Sequence, residues 1–150
     1  MKNFKIILSD LDGVIRNYPS EHHDLIEKEF GLPLGTLLPT AFQKKFLEPV
    51  VTGKISDEKW REQIIQDISK TIPAHIAQEA VLKWSAFPGK LDTEVMNLLV
   101  SCKPQCQLML LTNATTKLNK DLLTLDILKH FDEIFNTSEI GFAKPDQKSF

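Results

Sequence analysis

The sequence predicts an α/β fold, a Rossmann-like parallel sheet with a block of helices inserted after its first strand. Three observations predict it. A short apolar run near the N-terminus, "FKIILSDLD", ends in acids. Two further strand-like runs, "QLMLLTNA" and "DEIFNT", come late and are separated by helical periodicity. Between them and the first run, residues 17–87 read as helix after helix. Strand, helix, strand, helix, strand is the order of right-handed βαβ units.

The size suits this plan. A chain of 150 residues, 42% hydrophobic and 25% charged, has the balance of one globular domain carrying an insertion. A formal net charge of −2 gives no argument for a nucleic-acid or anionic-membrane partner, so neither is expected. The sequence holds no apolar run long enough to span a bilayer. Lys2 and Lys5 precede an apolar stretch too short for a signal peptide, which makes a cytoplasmic location the default expectation. Cys102 and Cys106, in "SCKPQC", lack the spacing of a zinc or redox pair and read as reduced thiols. His22, His23, His75 and His130 are scattered and read as structural or surface residues.

The first run, with Phe4, Ile6, Ile7 and Leu8 nearly continuous, predicts a strand covered on both faces. Gly13, Asn17 and Pro19 predict a loop behind it. "EHHDLIEKEFG" predicts a short helix stopped by Gly31, and "TLLPTAFQKKFLEPVVTG" a second, adjusted around Pro39 and ended near Gly53. "SDEKWREQIIQDISKTI" predicts a third. Ser56 is its N-cap, Asp57 and Glu58 complement the dipole, and Trp60, Ile64 and Ile68 recur on one face. Pro73 suits the first turn of a fourth helix running to about Trp84. Trp60 and Trp84 read as core of this helical unit, with the lining of a substrate pocket as the alternative. "FPGK" ends the unit. A helix from about Leu91 to Cys102 follows, with Val95, Leu98, Leu99 and Cys102 on one face, and residues 116–130 are amphipathic again. The domains expected are an α/β core from residues 1–16 and 88–150 and a helical cap from 17–87.

Sheets of this kind place their sites at the carboxyl ends of the strands. Asp10 and Asp12 end the first strand, Thr112 and Asn113 end the second, and Lys144 follows the third in "GFAKPDQKSF". Two acids, a hydroxyl, an amide and a cation would meet at one edge. Asp10 and Asp12 can point the same way in extended chain, and two adjacent carboxylates repel unless a cation intervenes. Mg²⁺, which takes oxygen ligands, would relieve that repulsion. A phosphate would then be met by Mg²⁺, Lys144, Thr112 and backbone N–H groups near Gly13. Thr112 and Asn113 also suit an ordinary strand-end turn, and Lys144 an ordinary loop.

This constellation resembles the haloacid dehalogenase (HAD) superfamily over nearly the whole chain. "SDLDGV" is similar to its first motif, "LLTN" to its second and "KPD" to its third. The insertion with "GKISDEKW" and the "FPGK" exit resemble the small helical cap of the branch holding the epoxide-hydrolase N-terminal phosphatases and bacterial sugar-phosphate phosphatases. The resemblance implies a Mg²⁺-dependent phosphatase acting on a small phosphorylated metabolite such as a sugar phosphate. Asp10 would become an aspartyl-phosphate, and Asp12 would protonate the leaving alcohol and then activate water. The Asp10 carboxylate and the Asp12 backbone carbonyl would bind Mg²⁺. Thr112, Lys144 and the Asn113 backbone would hold the phosphoryl oxygens. The family's dehalogenases lack the second acid, so Asp12 favours phosphate-ester hydrolysis.

The family's fourth motif, an acid pair that completes the Mg²⁺ site, normally follows "KPD" by a few tens of residues. The sequence stops at Phe150, so the core is expected to be truncated at its C-terminus. An exposed first strand follows from that expectation, with strand-mediated self-association and weak or absent turnover. A non-catalytic binding module on the same fold is the alternative. A response-regulator-like phosphoacceptor is disfavoured, because its acids are usually adjacent in sequence and it lacks the long insertion.

Overall fold

The computed structural model describes residues 5–149, so Phe4 and the end of the C-terminal tail lie outside the described residues. Three parallel strands form the sheet, in the order β1 (Ile6–Ser9), β4 (Gln107–Thr112), β5 (Glu133–Asn136). The register runs Leu8 to Met109 to Glu133 and Ser9 to Leu110 to Ile134. Residues level with one another therefore share a face of the sheet. One face carries Ile7, Leu108, Leu110 and Ile134. It packs under α6 (Thr93–Cys102) and α7 (Leu118–Thr124), which contribute Met96, Leu118 and Leu122.

The opposite face is where expectation and structure part. Ile6 and Leu8 are 49% and 50% exposed, and Phe135 is also exposed, so β1 is not covered on both faces among the described residues. The apolar run that suggested double burial is buried on alternate residues only. Helix α6 differs too. It starts at Thr93, with Asp92 capping the Val95 N–H at 3.0 Å, and Leu98 faces solvent while Met96 is buried. Leu91 instead belongs to a two-residue strand.

That strand, β3 (Lys90–Leu91), pairs antiparallel with β2 (Arg16–Asn17), matching Arg16 to Leu91 and Asn17 to Lys90. The chain thus leaves and rejoins the sheet region along one short ribbon. Between its strands lie α1 (Ser20–Glu29), α2 (Leu37–Ala41), α3 (Lys44–Val51), α4 (Asp57–Ile68) and α5 (Ala74–Ala86). Residues 37–53 form two helices rather than one. The chain breaks at Phe42 and Gln43, whose extended backbone (φ −57°, ψ 133°) precedes α3. Helix α4 begins after Ser56, whose hydroxyl accepts from the Lys59 N–H at 3.2 Å. Pro73 directly precedes α5 instead of occupying its first turn.

These helices enclose a second apolar cluster around Leu37, Val50, Trp60, Ile64, Val81 and Trp84, distinct from the one under the sheet. One buried carboxylate organises it. Glu27 is 1% exposed and accepts from the Gly35 and Leu37 N–H groups at 2.6 and 2.7 Å, which fastens the loop before α2 onto α1. The two regions are joined by polar contacts. Asp57 accepts from the Thr115 hydroxyl at 2.7 Å and its N–H donates to Thr116, while Thr137 donates to the Val51 carbonyl at 2.7 Å. Thr137 starts α8 (Thr137–Ile140), a single turn capped by Asn136 and ended by Gly141, which the reading of the sequence did not include. Among the described residues, no helix is long and apolar enough to cross a membrane.

Candidate active site

Asp10 follows the last residue of β1, and Leu11 turns the chain sharply. The Leu11 carbonyl accepts from the Ile15 and Arg16 N–H groups, both at 2.9 Å. Asp10 and Asp12 flank Leu11 on this turn, and both side chains stay partly exposed. The Asp10 carboxylate accepts through Oδ1 from the Leu11 N–H at 2.7 Å and lies 3.0 Å from Lys144 Nζ. Its Oδ2 accepts no hydrogen bond among the described residues.

Lys144 is brought there by a two-way tie with Asn113. Asn113 Oδ1 accepts from the Lys144 N–H at 2.8 Å, and Asn113 Nδ2 donates to the Lys144 carbonyl at 3.1 Å. The lysine head also donates to the Leu111 carbonyl at 2.9 Å. Asn113 therefore serves the site through its side chain, which clamps the loop bearing the cation. Thr112 ends β4, is buried and is level with Asn136 on β5. The structure so brings Asp10, Thr112, Asn113 and Lys144 to one edge.

Gly13's own N–H is not a free donor, because it closes the turn onto the Arg16 carbonyl at 2.8 Å. Asp10 and Asp12 each face a protein cation, Lys144 in the case of Asp10. For Asp12 that cation is Arg16. Its Nε and Nη2 grip the two Asp12 oxygens at 2.6 and 3.0 Å, and its Nη1 reaches Asp121 at 3.2 Å. The Arg16 side chain is only 5% exposed. Burial alone would lower its pKa, but the hydrogen bonds and charge of Asp12, helped by Tyr18 and Asp121, hold it above the ordinary value. Gly89 (φ +93°) crosses the arginine so closely that a Cβ there would sit 2.6 Å from its methylenes. Sequence reasoning missed Arg16, although its position four residues after Asp12 was the available signal.

A cavity of about 380 Å³ opens beside Asp12, between the helical unit and the sheet edge. Asp12, Arg16, Asn113 and Lys117 line one side, and Phe42, Trp60, Trp84 and Phe87 the other. The tryptophans thus belong both to the helical core and to the cavity wall. Their indoles are held in place: Trp60 donates to the Ala41 carbonyl at 3.2 Å and Trp84 to His23 Nδ1 at 2.8 Å. Desolvation raises the Tyr18 pKa at the same cavity, against the pull of Arg16.

A magnesium ion would find partial support here. The Asp10 carboxylate and the Asp12 backbone carbonyl supply two oxygens on one turn, and the Asp12 carbonyl accepts no hydrogen bond among the described residues. Mg²⁺ commonly takes one or two carboxylates and keeps several waters, which such a donor set fits. Among the described residues, no group of three His, Cys, Asp or Glu side chains is placed to hold a metal.

No protein-family model and no curated protein matches the sequence. Solved structures do match in shape. A HAD-family enzyme from Bacteroides thetaiotaomicron, in complex with magnesium and inorganic phosphate, aligns with a TM-score of 0.69 at 21% identity, over 95% of this chain and 73% of its own. A predicted HAD-like hydrolase from Porphyromonas gingivalis gives 0.67 at 21% identity, covering 99% and 73%. The L-2-haloacid dehalogenase of Xanthobacter autotrophicus gives 0.62 at 11% identity, covering 97% and 61%. The parallel sheet and the helical insertion behind its first strand thus belong together, in the fold of the haloacid dehalogenase superfamily.

Proposed function

We propose that the chain is a hydrolase of phosphate monoesters, working through an aspartyl-phosphate and dependent on Mg²⁺. The observation that carries this reading is Asp10, at the end of β1 with one carboxylate oxygen uncommitted and Lys144 3.0 Å from the other. The cation offsets charge on an incoming phosphoryl group while the carboxylate attacks phosphorus. The second acid supports ester hydrolysis. Asp12 sits on the cavity side of the turn, where a leaving oxygen would emerge, and is placed to give it a proton. Having given up its proton, Asp12 would take one from water in the second step. Thr112 and the Asn113–Lys144 clamp are read as holding the phosphoryl oxygens. Asp10, through one carboxylate oxygen, and Asp12, through its backbone carbonyl, would hold Mg²⁺, which supplies positive charge against the phosphoryl oxygens. The magnesium and phosphate bound by the Bacteroides enzyme support the same assignment.

A second reading is a binding module on this fold, favoured because both acids already have protein cations. One experiment separates the two. Inorganic phosphate is measured as it leaves a panel of small phosphate monoesters, with Mg²⁺ and with EDTA, for the wild type and Asp10→Asn. Release that needs Mg²⁺ and vanishes in Asp10→Asn is expected. Equal release from Asp10→Asn would exclude it as nucleophile, and no release from any ester would leave the binding module.

A further inference from the structure

The cavity beside Asp12 differs in character from a site built for a polyol. Its wall on the helical side is aromatic and aliphatic: Phe42, Leu47, Trp60, Trp84 and Phe87. Most polar side chains that line the cavity are committed to other protein groups, with the Tyr18 hydroxyl the exception among those described. Arg16 is taken by Asp12 and Asp121. Lys117 is taken by Asp121 at 2.8 Å and the Ser85 carbonyl at 2.7 Å. Asp57 holds Arg61 at 2.8 Å and the Thr115 hydroxyl at 2.7 Å. His23 accepts from Trp84, and the Trp60 indole is spent on Ala41.

Sugar hydroxyls entering this space would lose water and find few free partners, which is costly for each one. An aryl or branched aliphatic group would lose only unfavourable hydration. A volume of about 380 Å³ accommodates a group of that kind. Position agrees with chemistry. Asp12 lines the cavity, whereas Asp10 and Lys144 meet outside it. The phosphoryl group and the rest of the ester would therefore lie on opposite sides of the turn.

We infer that the cavity takes the leaving group of an apolar phosphate monoester, aryl or of similar bulk, rather than a sugar. This rests on the phosphatase reading for its chemistry. The ester P–O bond breaks, the phosphoryl group passes to Asp10, and the departing oxygen takes the proton of Asp12 to leave as a phenol or alcohol. Water then attacks the acyl-phosphate, Asp12 recovers a proton, and inorganic phosphate is released.

Both of the chain's two tryptophans line this cavity, so intrinsic fluorescence reports its occupancy. The test titrates the 150-residue chain with phenyl phosphate, with glucose 6-phosphate and with phosphate-free benzyl alcohol. Phenyl phosphate should bind at least roughly tenfold more tightly than glucose 6-phosphate, and benzyl alcohol should compete with it. Equal or tighter binding of the sugar phosphate, or no fluorescence response to any of the three, overturns the inference. Phe42→Ala supplies an independent check, because Phe42 is 56% exposed and the fold does not depend on it. That variant should weaken phenyl phosphate roughly threefold and leave inorganic phosphate binding alone. Unchanged phenyl phosphate affinity counts against the inference. Phosphate release is followed in parallel. An aryl preference in binding without release sinks the phosphatase reading while the cavity assignment stands, and efficient release from glucose 6-phosphate alone does the reverse.

Discussion

Arg16 and Asp12, one turn apart in sequence, form a two-pronged ion pair in which a buried guanidinium holds a half-exposed carboxylate at 2.6 and 3.0 Å. The same guanidinium reaches Asp121 and the Pro88 carbonyl, so it binds the acidic turn to α7 and to the point where the helical unit ends.

Removing this arginine should be felt in stability first. Arg16→Met leaves Asp121 with Lys117 alone and takes away a fork that no neighbour replaces. We expect a loss of about 2–3 kcal/mol, below the cost of breaking a fully buried pair because Asp12 retains contact with water. Arg16→Lys should recover less than half, since an ammonium cannot make the paired geometry. Urea denaturation measures both, and a wild-type midpoint for Arg16→Met would show the fork to be idle.

Asn113 should matter through Lys144. In Asn113→Ala the loop carrying the lysine loses both tethers to residue 113 and keeps only the Lys144 head on the Leu111 carbonyl. Inorganic phosphate should then bind roughly ten times more weakly, the expected scale for a misplaced charge-assisted contact. Lys144→Ala should weaken it at least as much. Isothermal titration with phosphate and Mg²⁺ makes the comparison. If Asn113→Ala binds like the wild type, the clamp has no part in the site.

His23 should give the protein an acid-side instability. Burial, and then the neighbouring His22, lower its pKa below the ordinary value, and its Nδ1 must stay unprotonated to accept from the Trp84 indole. The folded state thus binds this proton less well than the unfolded chain. Its contribution to stability is complete above the unfolded pKa of about 6.5. It is lost as pH falls from there through the lowered folded value. His23→Gln should flatten the pH dependence of the melting temperature below neutrality. An unaltered slope would place the titrating group elsewhere.

Gly53 marks a contact between α3 and α8 that tolerates no side chain. Its φ is +73°, and a Cβ there would collide with the Ser138 carbonyl oxygen. Gly53→Ala should cost at least about 2 kcal/mol, from left-handed strain together with displaced backbone. Thermal unfolding of that variant against Gly35→Ala, where a Cβ meets only open space, isolates the collision from the strain. Equal melting temperatures for the two would mean that the helices part freely.

β1 ends the described sheet, with β4 as its only strand partner there and with Ile6 and Leu8 half exposed. We propose that a second copy pairs with this edge, since unpaired strand groups beside apolar side chains invite it. Light scattering should show association that grows with concentration and is suppressed by Leu8→Lys. Scattering independent of concentration removes the proposal.

The sequence displayed the order of elements and the strand-end residues because those follow from period and position. Helix α4 was legible from Ser56, Trp60, Ile64 and Ile68 because capping and stripe agree. Leu98 and Leu8 misled because an apolar residue obeys the pattern whether or not anything covers it. The break at Phe42 and Gln43 has no glycine or proline to announce it. Arg16 showed only its four-residue spacing from Asp12: its other partners Asp121 and Pro88 lie 105 and 72 residues away in sequence, and only folding sets them around one guanidinium. The commitments of Lys117 and Asp57, which give the cavity its apolar character, are likewise properties of the assembled structure.

The ribbon of β2 and β3 has a mechanical meaning. Both chain crossings between the sheet and the helical unit run through it, side by side and hydrogen-bonded. The covalent attachment of the unit therefore runs along one line, as a door meets its frame, while the Asp57–Thr115 and Thr137–Val51 hydrogen bonds latch it elsewhere. Sliding along that line would break the Arg16–Leu91 and Asn17–Lys90 pairing, and twisting about it would break the latches. Arg16 stands on that line itself, so the residue that closes the seam is also the one that grips the carboxylate of Asp12.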